Sequence, residues 1–451
     1  MVNVMNEYRD HNAQEWQELE AMKEHIDRIA VPSAIDEAIK NGMRLGRQRR
    51  RRRVLTRMVS CTAMFMLLVM VASVRFSPTV AAYVGDIPGL RALVELINYD
   101  KGLKLAIEND FMQKVGLSEE HDGIKMTVDG ILADESRVIV FYTLTNQDGR
   151  KRVVNLRNVK LANNANTSTS YGASDFSEKW VSKQGTIDFN FHEGTGIPEL
   201  LELEVKFDEV NETATSSPVW KFNIPVDKTK FEGKKETYAI NQTVTVEGQR
   251  ITFGTMTVHP TRIGLEVAYD PANTKKLFYF DDIRIEDEKG ETFGTIINGI
   301  SASNISETKE VLYFQSNYFS KPEKLYLRAS SIRAMDKNKL EVQVDLDRKK
   351  LLFRPDDRLT LVDVGTSSEN GQGVLVFRLD NDHPLDEHRQ YHLFSSTYKD
   401  ASGKQFESNM TGSTENEFQY YIRKAEYKSP LTLYVEDYPS RILGDINLRI
   451  K

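Results

Sequence analysis

The apolar positions change their period twice along the chain. Trp16, Leu19, Met22, Ile26 and Ile29 recur at spacings of three and four, the stripe of an amphipathic helix. A second helix is predicted after Pro32, where Ser33 and Asp36 fit a capping box and Ile35, Ala38, Ile39 and Met43 continue the pattern until Gly42 and Gly46 weaken its end. Residues 58–74 then run without a charge between Arg57 and Arg75. From residue 124 onward the period is two, with turn signals between short runs, which predicts strands.

The uncharged run spans roughly 26 Å as a helix, against a hydrocarbon thickness of about 30 Å. Val54 and Leu55 add a part-turn, and Arg57 and Arg75 snorkel across the remainder. This predicts one transmembrane helix. A buried globular helix is a poor fit directly behind five consecutive arginines. A cleaved leader is the other alternative, since Val80-Ala81-Ala82 resembles a small-residue cleavage site, but 57 polar residues make too long an n-region.

Charge gives the direction. Residues 1–39 hold nine acids and three bases, residues 40–57 hold nine bases and no acid, and the remainder holds 48 bases and 57 acids. The net charge of −6 over 451 residues hides this asymmetry. Lys and Arg close to a span stay cytoplasmic, so the amino terminus is expected inside the cell and the carboxy terminus outside. Arg47, Arg49, Arg50, Arg51, Arg52, Arg53 and Arg57 are expected to lie on anionic headgroups rather than on nucleic acid.

Outside, a short helical segment is expected, with stripes of Leu90, Leu93, Leu96 and Ile97 and then Leu103, Ile107 and Phe111. Beyond it, one order of elements recurs three times. A strand pair forms at 124–128 with 138–142, at 251–253 with 265–269, and at 359–361 with 374–377. Pro198, Pro322 and Pro430 each precede a strand, and alternating strands at 220–224, 340–344 and 446–450 close the three units. The length and pattern predict a mainly β exterior of tandem antiparallel β-sandwiches, Ig-like in their strand pattern; one continuous β-rich domain without duplication is the alternative. The expected organisation is a helical head (1–46), a basic block (47–57), a transmembrane helix (58–76), an outer helical segment (77–116) and β units at 117–230, 236–350 and 356–451.

Candidate chemistry is sparse. One cysteine, Cys61, inside the apolar run, precludes an internal disulfide and a Cys-cluster zinc site. No nucleophile-elbow, metalloprotease, P-loop or dinucleotide motif occurs. Asp380, Asp382, His383, Asp386, His388 and His392 form the best metal candidate, but they follow a strand where the other units place turns, so a polar loop is expected. His121, His192 and His259 stand isolated. No enzyme activity, metal or cofactor is expected.

Two short helices bury little against each other, and isolated helices are marginal. The stripes of Trp16, Leu19, Met22, Ile26 and Ile29 and of Ile35, Ile39 and Met43 therefore need another surface. A groove on a soluble cytoplasmic protein is the leading choice; the inner leaflet or self-association is the alternative.

The succession of Val31-Pro32-Ser33-Ala34-Ile35-Asp36-Glu37-Ala38-Ile39, an Arg block, one span, Ser77-Pro78-Thr79-Val80-Ala81-Ala82 and Ile87-Pro88-Gly89-Leu90 resembles Gram-positive membrane proteins similar to anti-sigma factors of the extracytoplasmic-function type. The likeness is specific mainly between residues 31 and 145. It implies that the helical stripes sequester a sigma factor until an external signal frees it, by an envelope protease acting between Phe76 and Gly85 or by conformational change. The His-x3-Cys-x2-Cys motif of zinc-type anti-sigma factors is absent, His11 and His25 having no cysteine partners. The competing expectation is a membrane-anchored, wall-associated surface protein without a transcriptional role.

Overall fold

The computed structural model describes residues 16–26, 96–97, 99–149, 154–164, 166–171, 181–191, 194–209, 218–296, 300–367, 371–380, 383–386, 391–408, 411–413 and 417–451. The chain divides into two units, residues 1–83 and 84–451. In the first unit, residues 16–26 form helix α1, as the three-four spacing predicts. Among the described residues no helix is long and apolar enough to cross a membrane; the uncharged run at 58–74 lies outside them.

The second unit is mainly β. It opens on helix α2 (Lys101–Glu108), whose N-cap Asp100 accepts the Leu103 amide at 3.0 Å and whose Leu103 and Ile107 are buried, as their spacing predicts, together with Ala106. Strands β1 (Gln113–His121), β2 (Ile124–Ala133), β3 (Arg137–Asn146), β4 (Val154–Leu161), β5 (Thr167–Tyr171), β6 (Ser182–Phe191), β7 (Leu200–Glu209) and β8 (Val219–Pro225) follow. They form two antiparallel sheets, β1-β2-β3-β6-β5 and β4-β7-β8, which enclose one apolar core with α2. Trp220 is central to it, edge-on to His121 and Phe207 at centroid distances of 5.0 and 4.8 Å.

A second pair of sheets follows, from β9 (Glu236–Val246), β10 (Gln249–Val258), β11 (Arg262–Tyr269), β12 (Lys275–Phe280), β13 (Arg284–Asp287), β14 (Thr292–Gly294), β15 (Ala302–Ser306), β16 (Lys309–Gln315) and β17 (Leu325–Asp336). One sheet runs β15-β16-β11-β10-β9 and the other β12-β17-β13-β14. A third pair comes from β18 (Glu341–Asp345), β19 (Lys350–Phe353), β20 (Leu359–Thr366), β21 (Gly373–Leu379), β22 (Phe394–Lys399), β23 (Gln405–Glu407), β24 (Thr411–Ser413), β25 (Glu417–Ile422) and β26 (Leu431–Val435), ordered β19-β18-β26-β22-β23 and β20-β21-β25-β24. The chain ends on β27 (Arg441–Arg449).

The three expected strand pairs form: β2 with β3, β10 with β11, and β20 with β21. The closing strands differ from expectation. Residues 340–344 were expected to complete the second sheet pair and 446–450 the third, but β18 pairs with β26, and β27 pairs with β17. The bodies have exchanged their last strands, so the third core is inserted into the second. The cause is edge occupancy. The carboxy-terminal half of β17 has β12 on one side and β27 on the other, leaving no edge for the strand that follows it. The chain therefore turns at Lys337–Lys339 into the next core. The cores record the exchange, since Ile442 and Ile446 pack with the second and Val342 and Val344 with the third.

Candidate functional sites: an exposed helix stripe and two buried joints

On α1 the described members of the predicted stripe face solvent, with Trp16, Leu19, Met22 and Ile26 exposed by 58–71%. Four large apolar side chains on one face, none buried, make a surface suited to docking. Ile29, Ile35, Ile39 and Met43 lie outside the described residues, as do Arg47, Arg49, Arg50, Arg51, Arg52, Arg53 and Arg57.

The first joint links the hairpin turn between β2 and β3 to the corresponding turn between β10 and β11. Arg137 opens β3 and Arg262 opens β11, and each follows a hydroxyl residue, Ser136 and Thr261. The contacts are reciprocal. Arg137 donates from Nε to Thr261 Oγ1 at 2.8 Å and from Nη2 to the Thr261 carbonyl. Arg262 donates from Nε to Ser136 Oγ and from Nη2 to the Ser136 carbonyl, both at 2.9 Å. Each arginine also holds a residue of β6: Arg137 pairs with Asp188 at 3.1 Å and Arg262 donates to Asn190. The guanidinium of Arg262 lies 3.8 Å from the centre of the Tyr313 ring, and both arginines are 1% exposed.

Asp134 organises this joint. One carboxylate oxygen accepts from Ser136 N, Ser136 Oγ and Arg137 N at 2.7–3.1 Å, and the other accepts from Thr261 N at 2.9 Å and from the Thr261 hydroxyl. Burial pushes its pKa up, but the positive field of His259, the Thr261 hydrogen bond, Arg262 and Ser136 outweigh burial and hold it at about 2. His259 is lowered from its ordinary value, first by burial and then by Arg262 and Lys235, against the opposing pull of Asp134 and Glu135. Its ring lines a cleft of about 570 Å³ beside the joint, together with Glu135, Lys235 and Arg262. The turn before helix α2 adds a further tie, because Gln315 Nε2 donates to the Tyr99 carbonyl at 3.0 Å. Gly102 packs on Ser316 so closely that a Cβ there would stand 2.4 Å from the Ser316 nitrogen.

The second joint binds the second and third cores with two arginines and three aspartates. Arg441, on β27, donates to Asp281 at 2.7 Å and grips Asp386 with both terminal nitrogens, one of them at 2.9 Å. Arg333, on β17, pairs with Asp281 at 3.4 Å and with Asp437. The Asp281 and Asp386 side chains have no exposed surface. Burial disfavours the Arg441 cation, but Asp386 and Asp281 outweigh it and hold the group above its ordinary value. Burial and the Asp386 carboxylate push the Tyr391 phenol up to about 12.

This places the metal candidate of the sequence. Asp386 spends its oxygens on Arg441 and Tyr391, His383 Nδ1 accepts the Leu385 amide at 3.2 Å, and His392 lies 3.7 Å from Glu436. Asp382 and His388 lie outside the described residues, as does His192. Among the described residues no group of three or more His, Cys, Asp or Glu side chains is arranged to hold a metal ion. His121 bonds Glu119 at 2.9 Å. The joint arginines escape a motif search because their side-chain partners lie 50–160 positions away; the recurring hydroxyl-Arg pair at the start of β3 and β11 is the one local signal.

Residues 49–146 match a domain of unknown function, DUF4179, and residues 235–355 match a family of unknown function, DUF5643. No curated protein matches the chain. Four solved chains match; one is a conserved domain protein from Bacillus anthracis, 14% identical, covering 54% of this chain and 84% of its own, with a TM-score of 0.38. The DUF4179 match takes in most of the basic block, the uncharged run and the first strand pair of the β region, and the DUF5643 match takes in β9 through β19.

Proposed function

We propose that this chain is a single-pass membrane regulator of the anti-sigma-factor type. Its cytoplasmic helices hold an extracytoplasmic-function sigma factor, and its β exterior responds to envelope conditions. The observation that carries this reading is the α1 stripe, a row of four large apolar side chains that are all more than half exposed. Burying each on a partner contributes about 1.5–3 kcal/mol, enough for a short helix to bind a groove firmly. The arrangement of acidic head, basic block and uncharged run supports the compartments assigned to the two ends. The joined β cores suit an exterior that passes on a change as a unit, and an envelope protease acting near residues 76–85 is one route by which the head is freed.

The test is co-purification from cells. The full chain should bring down a sigma factor, and Ile26→Asp on α1 or Ile35→Asp on the second predicted helix should reduce recovery at least about tenfold, the loss of one buried anchor. Recovery of no sigma factor, or indifference to both substitutions, overturns the reading in favour of a wall-associated surface protein whose head lies on lipid.

A further inference from the structure

A groove of about 890 Å³ runs where the β12 edge, the β15–β16 hairpin and the segment after β26 come together. Its origin is a bulge. The β12–β17 register shifts between Leu277 and Tyr279, and the shift sends three consecutive side chains to three destinations. Leu277 enters the second core and Phe278 the third, while Tyr279 opposite Arg333 is left 48% exposed. The Arg333 guanidinium lies 4.8 Å from the centre of the Tyr279 ring and is itself fixed by Asp281 and Asp437. The ring is therefore backed by a buried cation and presents its remaining surface to solvent. Lys276, Asn304, Ser306, Glu307 and Glu436, all exposed, stand around the same groove.

We infer that this groove binds a neutral, N-acetylated saccharide chain, with one sugar ring stacked on Tyr279. The chemistry follows from the parts. An N-acetylated pyranose offers a face of C–H bonds to an aromatic ring, with hydroxyl groups and one amide at its edge, which asks for one rigid aromatic platform and a rim of mixed donors and acceptors. Tyr279 supplies the first without an ordering cost, because the two joined cores already hold it. The rim supplies the second. Both signs of charge occur there, Lys276 against Glu307 and Glu436, so the groove has no one-signed field to select a polyanion. The large exposed apolar walls that an amphipathic helix requires are absent from its described lining, since Leu277 and Phe278 are buried. This deepens the sensing role proposed for the exterior by naming a ligand class, and its measurement needs no sigma factor, so the two stand or fall separately.

The experiment is calorimetric titration of the full chain in detergent micelles with the hexamer of N-acetylglucosamine, and in parallel with a proline-rich decapeptide. Saturable binding of the hexamer is expected. Tyr279→Ala should weaken it about tenfold, while Tyr279→Phe, which keeps the ring, should leave it within about twofold. Asn304→Ala, at an exposed rim position, should weaken it by a smaller factor with an unchanged melting temperature, which keeps the test sound if Tyr279→Ala fails to fold. No heat with the hexamer, equal binding by the Tyr279→Ala chain, or preference for the decapeptide overturns the proposal.

Discussion

Single residues decide how the first two β bodies meet, and Asp134 and His259 decide how that meeting depends on pH. The Asp134 carboxyl is held at about 2, below its ordinary 3.8. Its stabilisation is whole above that ordinary value and is lost as pH falls toward 2. His259 is also lowered, from 6.5, mainly by burial. Its neutral form is the one the fold accepts, so the unfolded chain takes up the proton first and stability falls as pH drops below about 6.5. Above that pH the His259 contribution is complete. Thermal unfolding between about pH 5 and 7 should show stability rising with pH, and His259→Asn should flatten that slope and weaken the acid limb as well, because the His259 cation helps to hold the Asp134 carboxyl down. A slope unchanged by the substitution contradicts this account of the joint.

At the scale of elements, β27 is the strand on which the insertion depends. Ile446 on β27 is 2% exposed and opposite Ala329 of β17, inside the second core. Ile446→Asp loses its burial and introduces an unpaired charge, a cost expected to exceed about 4 kcal/mol. Hydrogen exchange should show β12, β13 and β17 losing protection while β22 and β26 of the third core keep theirs. Loss of protection in the third core with the second intact would mean that β27 closes the body preceding it in sequence. Much of the element pattern is legible in sequence, because alternation, Pro signals and turn residues are local: β2, β3, β10, β11, β20 and β21 stand and pair where the period of two puts them. The exchange of β18 and β27 is not legible there. Both strands alternate alike, and the choice of partner is made by which edge of β17 or β26 is free, a property of the assembled sheets. The same holds for the joints, where Arg441 finds Asp281 160 positions away.

For the whole molecule, the two buried joints and the inserted third core make residues 100–451 a body in which each part is tied to the next through charge pairs and shared strands. Such pairs are costly to break singly, about 3–5 kcal/mol when one partner is removed. A body tied in this way suits the exterior role proposed for it, in which an event is passed on as one piece. The proposed function requires the β body and helix α1 to lie in opposite compartments, and site-directed labelling measures this directly. With Cys61 replaced by serine, a single cysteine is placed at Lys339, exposed between β17 and β18, or at Glu18 on α1, and intact cells are treated with a membrane-impermeant maleimide. The account predicts labelling at position 339 on intact cells and at position 18 only after permeabilisation. Labelling of both positions on intact cells, or of neither, would contradict it.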